Sequence, residues 1–531
     1  MVDFAQPYPS QRSPVLGDNV VSTSQPLAAQ AGLAMLAKGG NAVDAALAAA
    51  MTLTVVEPTG CGLGSDAFAI LWDGKELHGL NASGRAPAAW TPARFAGSGA
   101  MPARGWDSVT VPGAVSGWIA LWRRFGSLPL ATLAAPAIRY ARDGFPVSPI
   151  IARLWQMGGR LLGEQPGFAD AFLPEGRAPK AGERFRNPAL AATLEAIVET
   201  EGESFYRGAI AEKIAADAAR HGAVLSLDDL GSHEADWVGT LSQQFAGGTV
   251  HEIPPNGQGI VTLITLGILG NLGIGADPVD DVETVHLAIE ATKLALADAD
   301  QHVAETSHMA FDPTALLAPD YLAGRASLVD RRRAGLPAYG APKPGGTVYL
   351  AAADANGMMV SFIQSNFMGF GSGVVVPGTG ISLQNRGAGF TLAPGHVNEV
   401  APGKRPFHTI IPGFAMQADG TPLSAFGVMG GPMQAQGHAQ MMLRRLAYGQ
   451  NPQAAADAPR WRVIGGNKVA VETSFPPALA EALRARGHDI VIEPPDAVFA
   501  FGGAQIIERL PDGAGYVAGS DPRKDGQAVA F

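Results

Sequence analysis

The sequence predicts a protein of mixed helices and strands, in the α+β class, because three features of the 531-residue chain agree. Helical apolar patterns dominate residues 26–300, short strand-like segments follow from residue 347, and a stretch rich in proline, glycine and charge (331–346) separates them. Hydrophobic residues make up 47% and charged residues 16% of the chain, which is a globular composition. We therefore expect a helix-rich part followed by a strand-rich part.

The first part should begin with two helices over residues 26–54, broken by "KGGN". Asn41 can cap the second helix, with Asp44 three positions on. The run "AALAAAMTL" has no polar face, so this helix should be buried. Two short strands are expected to join at Asp73-Gly74. Further helices are expected at 114–124, at 130–142, over most of 150–300 with a break at 253–259, and as a long amphipathic helix at 281–300.

The second part should follow an exposed, mobile connection at 331–346. Strands are expected at 347–353 and 358–364, with "DANG" as the hairpin turn between them. Helices are expected at 434–448 and 476–486.

Charge and cysteine content exclude several classes of function. The net charge of −10 is spread along the chain, so neither nucleic acid nor an anionic membrane is an expected partner. Cys61 is the only cysteine, which rules out an intramolecular disulfide and argues against a cysteine-based metal site. The chain has no long uninterrupted apolar run, and its first residues do not resemble a signal peptide. A cytoplasmic location is expected.

Common cofactor and hydrolase motifs are weak or missing. "GCGLGSD" (60–66) lacks the third glycine of a dinucleotide-binding loop in the required place. A phosphate-binding P-loop, a zinc-binding H-E-x-x-H helix and a G-x-S-x-G elbow are also missing. His286 and His302 do not have the spacing of a ligand pair, and a structural or surface role is expected for them. We expect neither a metal nor an organic cofactor.

Thr347 is the candidate nucleophile. Threonine is common in strands, so its position at a strand start alone would mean little. Here it follows Gly345-Gly346, and glycine lets the backbone bring the Thr347 hydroxyl against the carbonyl carbon of Gly346, as an N-to-O acyl shift requires. Hydrolysis of the resulting ester would free the amine of Thr347, whose pKa near about 7.7–8.0 suits a general base. The same residue would then carry both nucleophile and base.

Ten ordered sequence blocks resemble the γ-glutamyltransferase family of N-terminal-nucleophile hydrolases over nearly the whole chain. They are "GGNAVDAALAA", "VVEPTGCGLGSDAF", "VPGAVSGW", "PAIRYARDGFPV", "EATKLALADAD", "GGTVYLAAADANGMMVSF", "GKRPFHTIIP", "GVMGGPMQAQGH", "DAPRW" and "GSDPRKDG".

The resemblance implies a four-layer αββα sandwich, made as one precursor that cleaves itself between Gly346 and Thr347. Residues 1–346 would form a large subunit and 347–531 a small one, interlocked in one globular unit; whether two such heterodimers pair is left open. The resemblance also implies that Thr347 attacks an amide and that Ser365 steadies it. The backbone amides of Gly430 and Gly431 would form the oxyanion hole, although an ordinary tight turn is the alternative for these glycines.

The substrate-binding segments depart from the pattern of γ-glutamyl enzymes. Ser83 stands where an arginine would hold the substrate α-carboxylate, and Arg85 is displaced. Arg386 lies in "QNRGAGF", where acidic residues would hold the α-amine, and a guanidinium would repel that amine. Arg386 suits a substrate carboxylate instead, with a structural salt bridge as the alternative. The expected substrate-binding positions are Ser83, Phe367, Asn385, Arg386, His408 and Thr409.

Similar departures occur in the family's amidohydrolase-like branch, which contains oxamate amidohydrolase and cephalosporin-acylase-like proteins. The sequence therefore predicts hydrolysis of an amide bond in a small carboxylate-bearing compound, with water as the preferred acceptor. Two alternatives stay open: a true γ-glutamyltransferase that hydrolyses glutathione, and an unprocessed relative that binds without catalysis.

Overall fold

The structure is a computed structural model that describes residues 4, 11–336, 346–494, 497 and 500–531. Residues 337–345, which belong to the connection expected to be mobile, lie outside the described residues. Within the described ranges, no helix has both the length and the apolar character needed to span a bilayer.

Helices and strands occur both before and after residue 346 in the described part of the chain. The helices are α1 (Pro26–Ala37), α2 (Ala42–Val56), α3 (Ala114–Phe125), α4 (Leu130–Asp143), α5 (Pro149–Leu162), α6 (Phe168–Phe172), α7 (Pro188–Glu199), α8 (Glu203–Arg207), α9 (Ala209–Arg220), α10 (Leu227–Gly231), α11 (Gly259–Asn271), α12 (Val282–His302), α13 (Pro319–Ala326), α14 (Met433–Met442), α15 (Pro452–Asp457) and α16 (Pro477–Ala485). The strands are β1 (Val15–Gly17), β2 (Val20–Thr23), β3 (Asp66–Trp72), β4 (Leu77–Ala82), β5 (Phe145–Pro146), β6 (Arg184–Phe185), β7 (Asp236–Trp237), β8 (Leu241–Phe245), β9 (Gly248–Glu252), β10 (Gly346–Ala353), β11 (Met359–Phe367), β12 (Val375–Val376), β13 (Ile381–Ser382), β14 (Gly413–Gln417), β15 (Pro422–Met429), β16 (Trp461–Gly465), β17 (Lys468–Val471), β18 (Asp489–Ile492), β19 (Gly503–Arg509), β20 (Tyr516–Ser520) and β21 (Gln527–Ala530).

Two seven-stranded sheets organise the fold. The first has the strand order β1-β20-β19-β15-β14-β9-β8, and the second has the order β21-β2-β10-β11-β3-β4-β7. Both sheets therefore combine strands from before and after residue 346. The protein is a mixed helix and sheet structure, as the sequence predicts.

The buried apolar side chains form clusters that follow these sheets. One cluster joins the two sheets to each other, with Ile363 from the second sheet and Phe414 from the first. A second cluster packs helices such as α2 and α4 on β3, β10 and β11. A third packs α11, α12 and α14 against β15 and β19. Each sheet is thus apolar on both faces, which agrees with the nearly continuous apolar run in β10.

The two helices expected over residues 26–54 are confirmed as α1 and α2. Asn41 accepts a hydrogen bond from the backbone of Asp44, and the Asp44 side chain accepts one from the backbone of Asn41, so the capping box is complete. Every residue of α2 is buried. The strands meeting at Asp73-Gly74 are β3 and β4, and the "DANG" hairpin is formed by β10 and β11.

Most of residues 150–300 is helical with a break at 253–258, as expected, but one expectation for this segment is wrong. Besides its helices the segment contains β6, β7, β8 and β9. At the edge of the first sheet, β9 alternates buried and half-buried residues and β8 alternates half-buried and exposed ones. The helix expected at 281–300 exists as α12, but it is buried on nearly all sides rather than amphipathic. Its buried lysine is paired: Lys293 Nζ donates to Glu290 on the same helix and to Asn467 Oδ1, between β16 and β17, at 2.7 Å each.

The end of the first part is attached to this buried helix. Lys293 also donates to the carbonyl of Gly335 (2.5 Å), and Glu290 Oε2 accepts from the Gly335 amide (2.9 Å). The His286 ring lies 2.8 Å from the carbonyl of Asp330. Residues 330–335 are therefore held against α12, although the side chains of 331–333 are exposed.

Candidate active site

Thr347 is the second residue of β10, an interior strand of the second sheet. The pairing of β10 with β11 shifts register between Gly346 and Val348, so Thr347 occupies a bulge. Its side chain is fully buried. The Thr347 hydroxyl lies 3.2 Å from Ser365 Oγ, on β11. Ser365 Oγ also accepts the backbone N–H of Phe367 (2.7 Å), so two strands fix the distance between the two hydroxyls.

Gln434 is a second partner of this hydroxyl. Its Nε2 donates to Thr347 Oγ1 (3.1 Å), while its Oε1 accepts the backbone N–H of Ile411 (3.1 Å). Because the Ile411 amide can only donate, the orientation of the Gln434 side-chain amide is fixed. The sequence reasoning missed Gln434. Its position in the first turn of α14, three residues after Gly431, is the signal that could have found it.

Gly430 and Gly431 form the turn between β15 and α14. Their φ angles of 131° and 61° fall where side chains are strained, so glycine is required at both positions. The Gly431 carbonyl accepts from Gln258 Nε2 (2.9 Å). Within the described ranges, neither backbone amide donates to an acceptor. The turn can therefore offer two N–H groups to an incoming oxyanion.

Arg386 is fully buried, at 1% exposure. Its Nη1 donates to Thr409 Oγ1 (2.9 Å), and the guanidinium carbon lies 4.7 Å from the centre of the Phe367 ring. Among the described residues, Nε and Nη2 have no partner, and no carboxylate forms an ion pair with Arg386. Burial lowers the pKa of Arg386 to about 9, and the charge of Asp66 acts in the opposite direction. The expected alternative of a structural salt bridge finds no support within these residues.

Asp66 is a buried carboxylate beside this arginine, and the sequence reasoning missed it. Asp66 Oδ1 accepts the backbone N–H groups of Gly84 (3.2 Å) and Gly113 (3.1 Å). Its Oδ2 lies 3.0 Å from Nε2 of His408. Burial raises the pKa of Asp66 to about 7, against the opposing effects of Arg386 and of the two backbone amides. The carboxyl group therefore titrates near neutral pH.

His408 is expected to be neutral. Burial, followed by the charges of Arg386 and Arg405, lowers the pKa of His408 well below its ordinary value. His408 Nδ1 accepts the backbone N–H of Ile410 (3.4 Å), which leaves the proton on Nε2, where it points to Asp66. His408 thus orients the Asp66 carboxylate without adding a charge.

Ser83 and Asn385 are engaged within the protein. The Ser83 hydroxyl donates to Asn81 Oδ1 (2.7 Å), and Asn256 Nδ2 donates to the Ser83 hydroxyl (3.2 Å). Asn385 Nδ2 donates to the carbonyl of Ala103 (2.7 Å), and its Oδ1 accepts the Met368 amide (3.1 Å). Neither residue lines the cavity described next, although Gly84, the neighbour of Ser83, contacts Asp66.

A cavity of about 650 Å³ opens beside these residues. Phe367 and Thr409, the two contacts of the Arg386 side chain, form part of its wall, as do Pro432 and Gln258 next to the glycine turn. Arg386 lies directly behind that wall. The structure thus brings together Thr347, Ser365, Gly430, Gly431, Phe367, Arg386, His408 and Thr409 from the predicted set, and adds Asp66 and Gln434.

Two described groups have the residue types of a cation site, and neither contacts Thr347. His286, Glu290 and His488 lie together, but the ammonium group of Lys293 already occupies the Glu290 carboxylate. Asp73, Glu76 and His78 form the other group, at the β3–β4 turn.

Comparison with known proteins matches residues 28–531 to the family model "Gamma-glutamyltranspeptidase". The oxamate amidohydrolase proenzyme of Klebsiella pneumoniae subsp. pneumoniae is 40% identical over 518 residues, covering 95% of this chain and 97% of that protein. The glutathione hydrolase-like YwrD proenzyme of Bacillus subtilis is 37% identical over 515 residues, covering 95% of this chain and 97% of that protein. The crystal structure of cephalosporin acylase from Bacillus halodurans is 48% identical, with a TM-score of 0.95 over 100% of this chain and 99% of that one.

Proposed function

Because the chain belongs to the gamma-glutamyltranspeptidase family, we propose that it is a self-processing amidohydrolase whose nucleophile is Thr347. The observation that carries the proposal is the position of the Thr347 hydroxyl. It is buried directly after Gly346 at a bulge, and it is held by Ser365 and Gln434. These contacts hold the Thr347 hydroxyl next to the peptide bond that the proposed processing step would break.

In the processing step, Thr347 Oγ attacks the carbonyl carbon of Gly346 and the peptide bond to the Thr347 nitrogen breaks. The acyl group moves to the oxygen, and the hydroxyl proton passes to the nitrogen. Water then hydrolyses the ester, which leaves a carboxylate on Gly346 and a free amine on Thr347. Relatives named as proenzymes support this step. The products would be a large subunit, 1–346, and a small subunit, 347–531.

In turnover, the free amine accepts the proton of Thr347 Oγ as the oxygen attacks the substrate amide carbonyl. Negative charge develops on the carbonyl oxygen, and the amides of Gly430 and Gly431 stabilise it. The amine of the substrate leaves with the proton, and an acyl-enzyme ester remains. Water, deprotonated by the same amine, hydrolyses this ester. Gln434 fixes the position of Oγ during both steps.

The substrate is proposed to carry a carboxylate, which Arg386 binds. Two of its donors lack described partners in a fully buried position, and such donors cost free energy unless something pairs with them. A carboxylate accepts two parallel hydrogen bonds from a guanidinium. The free α-amine of a γ-glutamyl substrate would instead meet a positive charge. Oxamate, the substrate named for a 40% identical relative, fits this requirement.

The two sheets with helices packed on their outer faces are proposed to form the four-layer αββα sandwich of N-terminal-nucleophile hydrolases. The close likeness to cephalosporin acylase supports this assignment. Pairing of two cleaved molecules into a dimer stays a prediction.

The experiment that tests the proposal combines electrophoresis, intact mass and activity. The purified protein should separate into fragments 1–346 and 347–531 and should release oxalate from oxamate. Thr347→Ala should stay a single chain and be inactive, with a loss of about 10⁴-fold or more. Thr347→Ser keeps the hydroxyl and should retain part of both activities.

Other outcomes separate the alternatives. A wild-type chain that stays whole and inactive would favour the non-catalytic relative. Efficient glutamyl transfer from γ-glutamyl-p-nitroanilide to dipeptides would favour a true γ-glutamyltransferase, the second reading that the glutathione hydrolase-like relative supports.

A further inference from the structure

The cavity beside the candidate active site has a polar end and an apolar body. At the polar end, Phe367 and Thr409 separate it from Arg386, and Pro432 follows the glycine turn. The Arg386 guanidinium does not line the cavity. A substrate carboxylate on Arg386 would therefore leave the body of the cavity for another part of the substrate.

The body of the cavity is lined by apolar side chains from separate segments. They include Met101, Leu296, Val303, Phe390, Leu392 and Phe407. Most of these are buried in the fold, so this wall is a fixed part of the structure.

Two polar side chains of the cavity wall, Asn398 and His396, bond to the backbone of the segment that carries them. Asn398 Oδ1 accepts the Phe407 amide (3.0 Å), and its Nδ2 donates to the Gly389 carbonyl. His396 Nδ1 accepts the Asn398 amide (3.0 Å). These two groups serve to close the 389–407 segment, so the surface that this segment offers to a ligand is mainly apolar. The exposed Asp300, on α12, also lines the cavity.

The volume of about 650 Å³ is far larger than oxamate needs. Oxamate has about six non-hydrogen atoms, and one water molecule takes about 30 Å³ of liquid volume. Cavities of several hundred Å³ with apolar walls are typical of sites for much larger ligands.

We propose that the preferred substrates are amides whose nitrogen carries a bulky apolar substituent, which the cavity binds, so that a hydrophobic amine is the leaving group. The proposal rests on the proposed function and adds the chemistry of the leaving group. The carboxylate and the scissile carbonyl stay at the polar end, and the substituent on the amide nitrogen extends into the body of the cavity.

A series of N-alkyl oxamates tests this directly. Oxamate and its N-ethyl, N-butyl and N-hexyl derivatives all release oxalate, so one assay of the processed wild-type enzyme covers the series. The value of kcat/KM should rise by about fourfold for each added methylene until the cavity is full. A flat or falling series that still releases oxalate would overturn the inference and leave the proposed function in place. No oxalate from any member would overturn both.

A variant assigns the effect to this cavity. Leu392→Asn places a polar group in the wall, at a partly exposed position that tolerates the change. The ratio of kcat/KM for N-hexyl oxamate to that for oxamate should fall about tenfold. Leu161→Asn is the matched control, because Leu161 is an exposed leucine on α5 and does not line the cavity. An unchanged ratio in Leu392→Asn would contradict binding of the substituent here.

Discussion

Two fully buried arginines, Arg386 and Arg460, differ in how many of their guanidinium nitrogens have hydrogen-bond partners. Arg460 donates to Asp521 Oδ2 (2.7 Å) and to the carbonyls of Phe501 (2.9 Å) and Ala456 (3.1 Å). Arg386 donates to one hydroxyl, and two of its nitrogens lack partners among the described residues. Both side chains are almost fully excluded from solvent, at 1% and 2% exposure.

Burial alone therefore does not distinguish a structural cation from a binding cation. A buried charge with a complete set of partners belongs to the scaffold, and its partner is strongly coupled to it. A buried charge with an incomplete set of partners lowers the stability of the fold by about 1–3 kcal/mol for each unpaired donor. Such a group is a candidate for binding an external anion.

Replacing Arg460 should cause the largest change, a loss of folding stability. Arg460→Met would leave the Asp521 carboxylate buried with one partner fewer, and should lower the free energy of unfolding by about 3–5 kcal/mol. Arg386→Met, the matched change, should lower it by less than about 1 kcal/mol, since it removes unpaired donors as well. Urea denaturation of both variants measures the contrast. Equal losses of stability in the two variants would show that Arg386 supports the fold as much as Arg460 does.

Replacing Arg386 should cause the next largest change, a loss of substrate binding. Arg386→Met should lower kcat/KM for carboxylate-bearing amides by roughly 30- to 1,000-fold, or about 2–4 kcal/mol, because the substrate charge loses its partner. Neutral amides of similar size should lose much less. Steady-state kinetics with matched carboxylate and neutral substrates separate the two. Similar losses for both would mean that Arg386 supports the fold of the site and does not bind the charge.

Two glutamines on α14 extend the same test to neutral groups. Gln440 donates to the carbonyls of Trp461 and Gln436, whereas Gln434 donates to the Thr347 hydroxyl. Gln434→Met should lower kcat by roughly 5- to 30-fold, the worth of about 1–2 kcal/mol for one hydrogen bond. Gln440→Met should lower stability and leave kcat unchanged. A Gln434→Met enzyme with normal kcat would show that Ser365 suffices to hold the nucleophile.

The smallest expected effect is a pH dependence of substrate binding. Asp66, with its pKa raised to about 7, is ionised above neutral pH and then opposes the field of Arg386. KM for a carboxylate substrate should therefore rise roughly three- to tenfold between about pH 6 and pH 8. Asp66→Asn should flatten this dependence, and a dependence that survives would assign it to another group.

The raised pKa of Asp66 also determines whether the stability of the fold rises or falls with pH. The pKa of Asp66 is raised above its ordinary value of 3.8, so the folded state holds a proton that the unfolded state has lost. The stability contribution of this group falls as the pH rises from about 4 to about 7, and does not change further above that. Urea denaturation of the wild type and of Asp66→Asn across this range measures it.

The parts of the fold that the sequence predicted are local. The capping box at Asn41, the burial of α2 and the β10–β11 hairpin follow from patterns within a few residues. Strands β8 and β9 were missed because their half-polar alternation becomes a sheet edge only when β9 pairs with β14 and β8 pairs with β9. The buried character of α12 was missed for a similar reason, since the partners of Lys293 come from Gly335 and Asn467.

The candidate site shows the same division. Thr347 stood out because glycines precede it, and the family resemblance added Ser365 and the glycine turn. Asp66 was missed because no local pattern marks it, and Gln434 was missed although it lies in the first turn of α14, three residues after Gly431. Their partners, His408 and Thr347, lie 342 and 87 residues away along the chain. The incomplete inventory of Arg386 is likewise visible only in three dimensions.

The mixing of strands in the two sheets has a consequence for a chain cut before residue 347. In the second sheet, β10 lies between β2 and β11, and β11 pairs with β3, so the new boundary would be crossed by ladders of backbone hydrogen bonds. The first sheet is crossed again where β9 meets β14. The two pieces could not drift apart on dilution or swap with those of another molecule, because parting them means melting both sheets. Cleavage would therefore create the free amine of Thr347 and leave a protein that still unfolds as one cooperative unit.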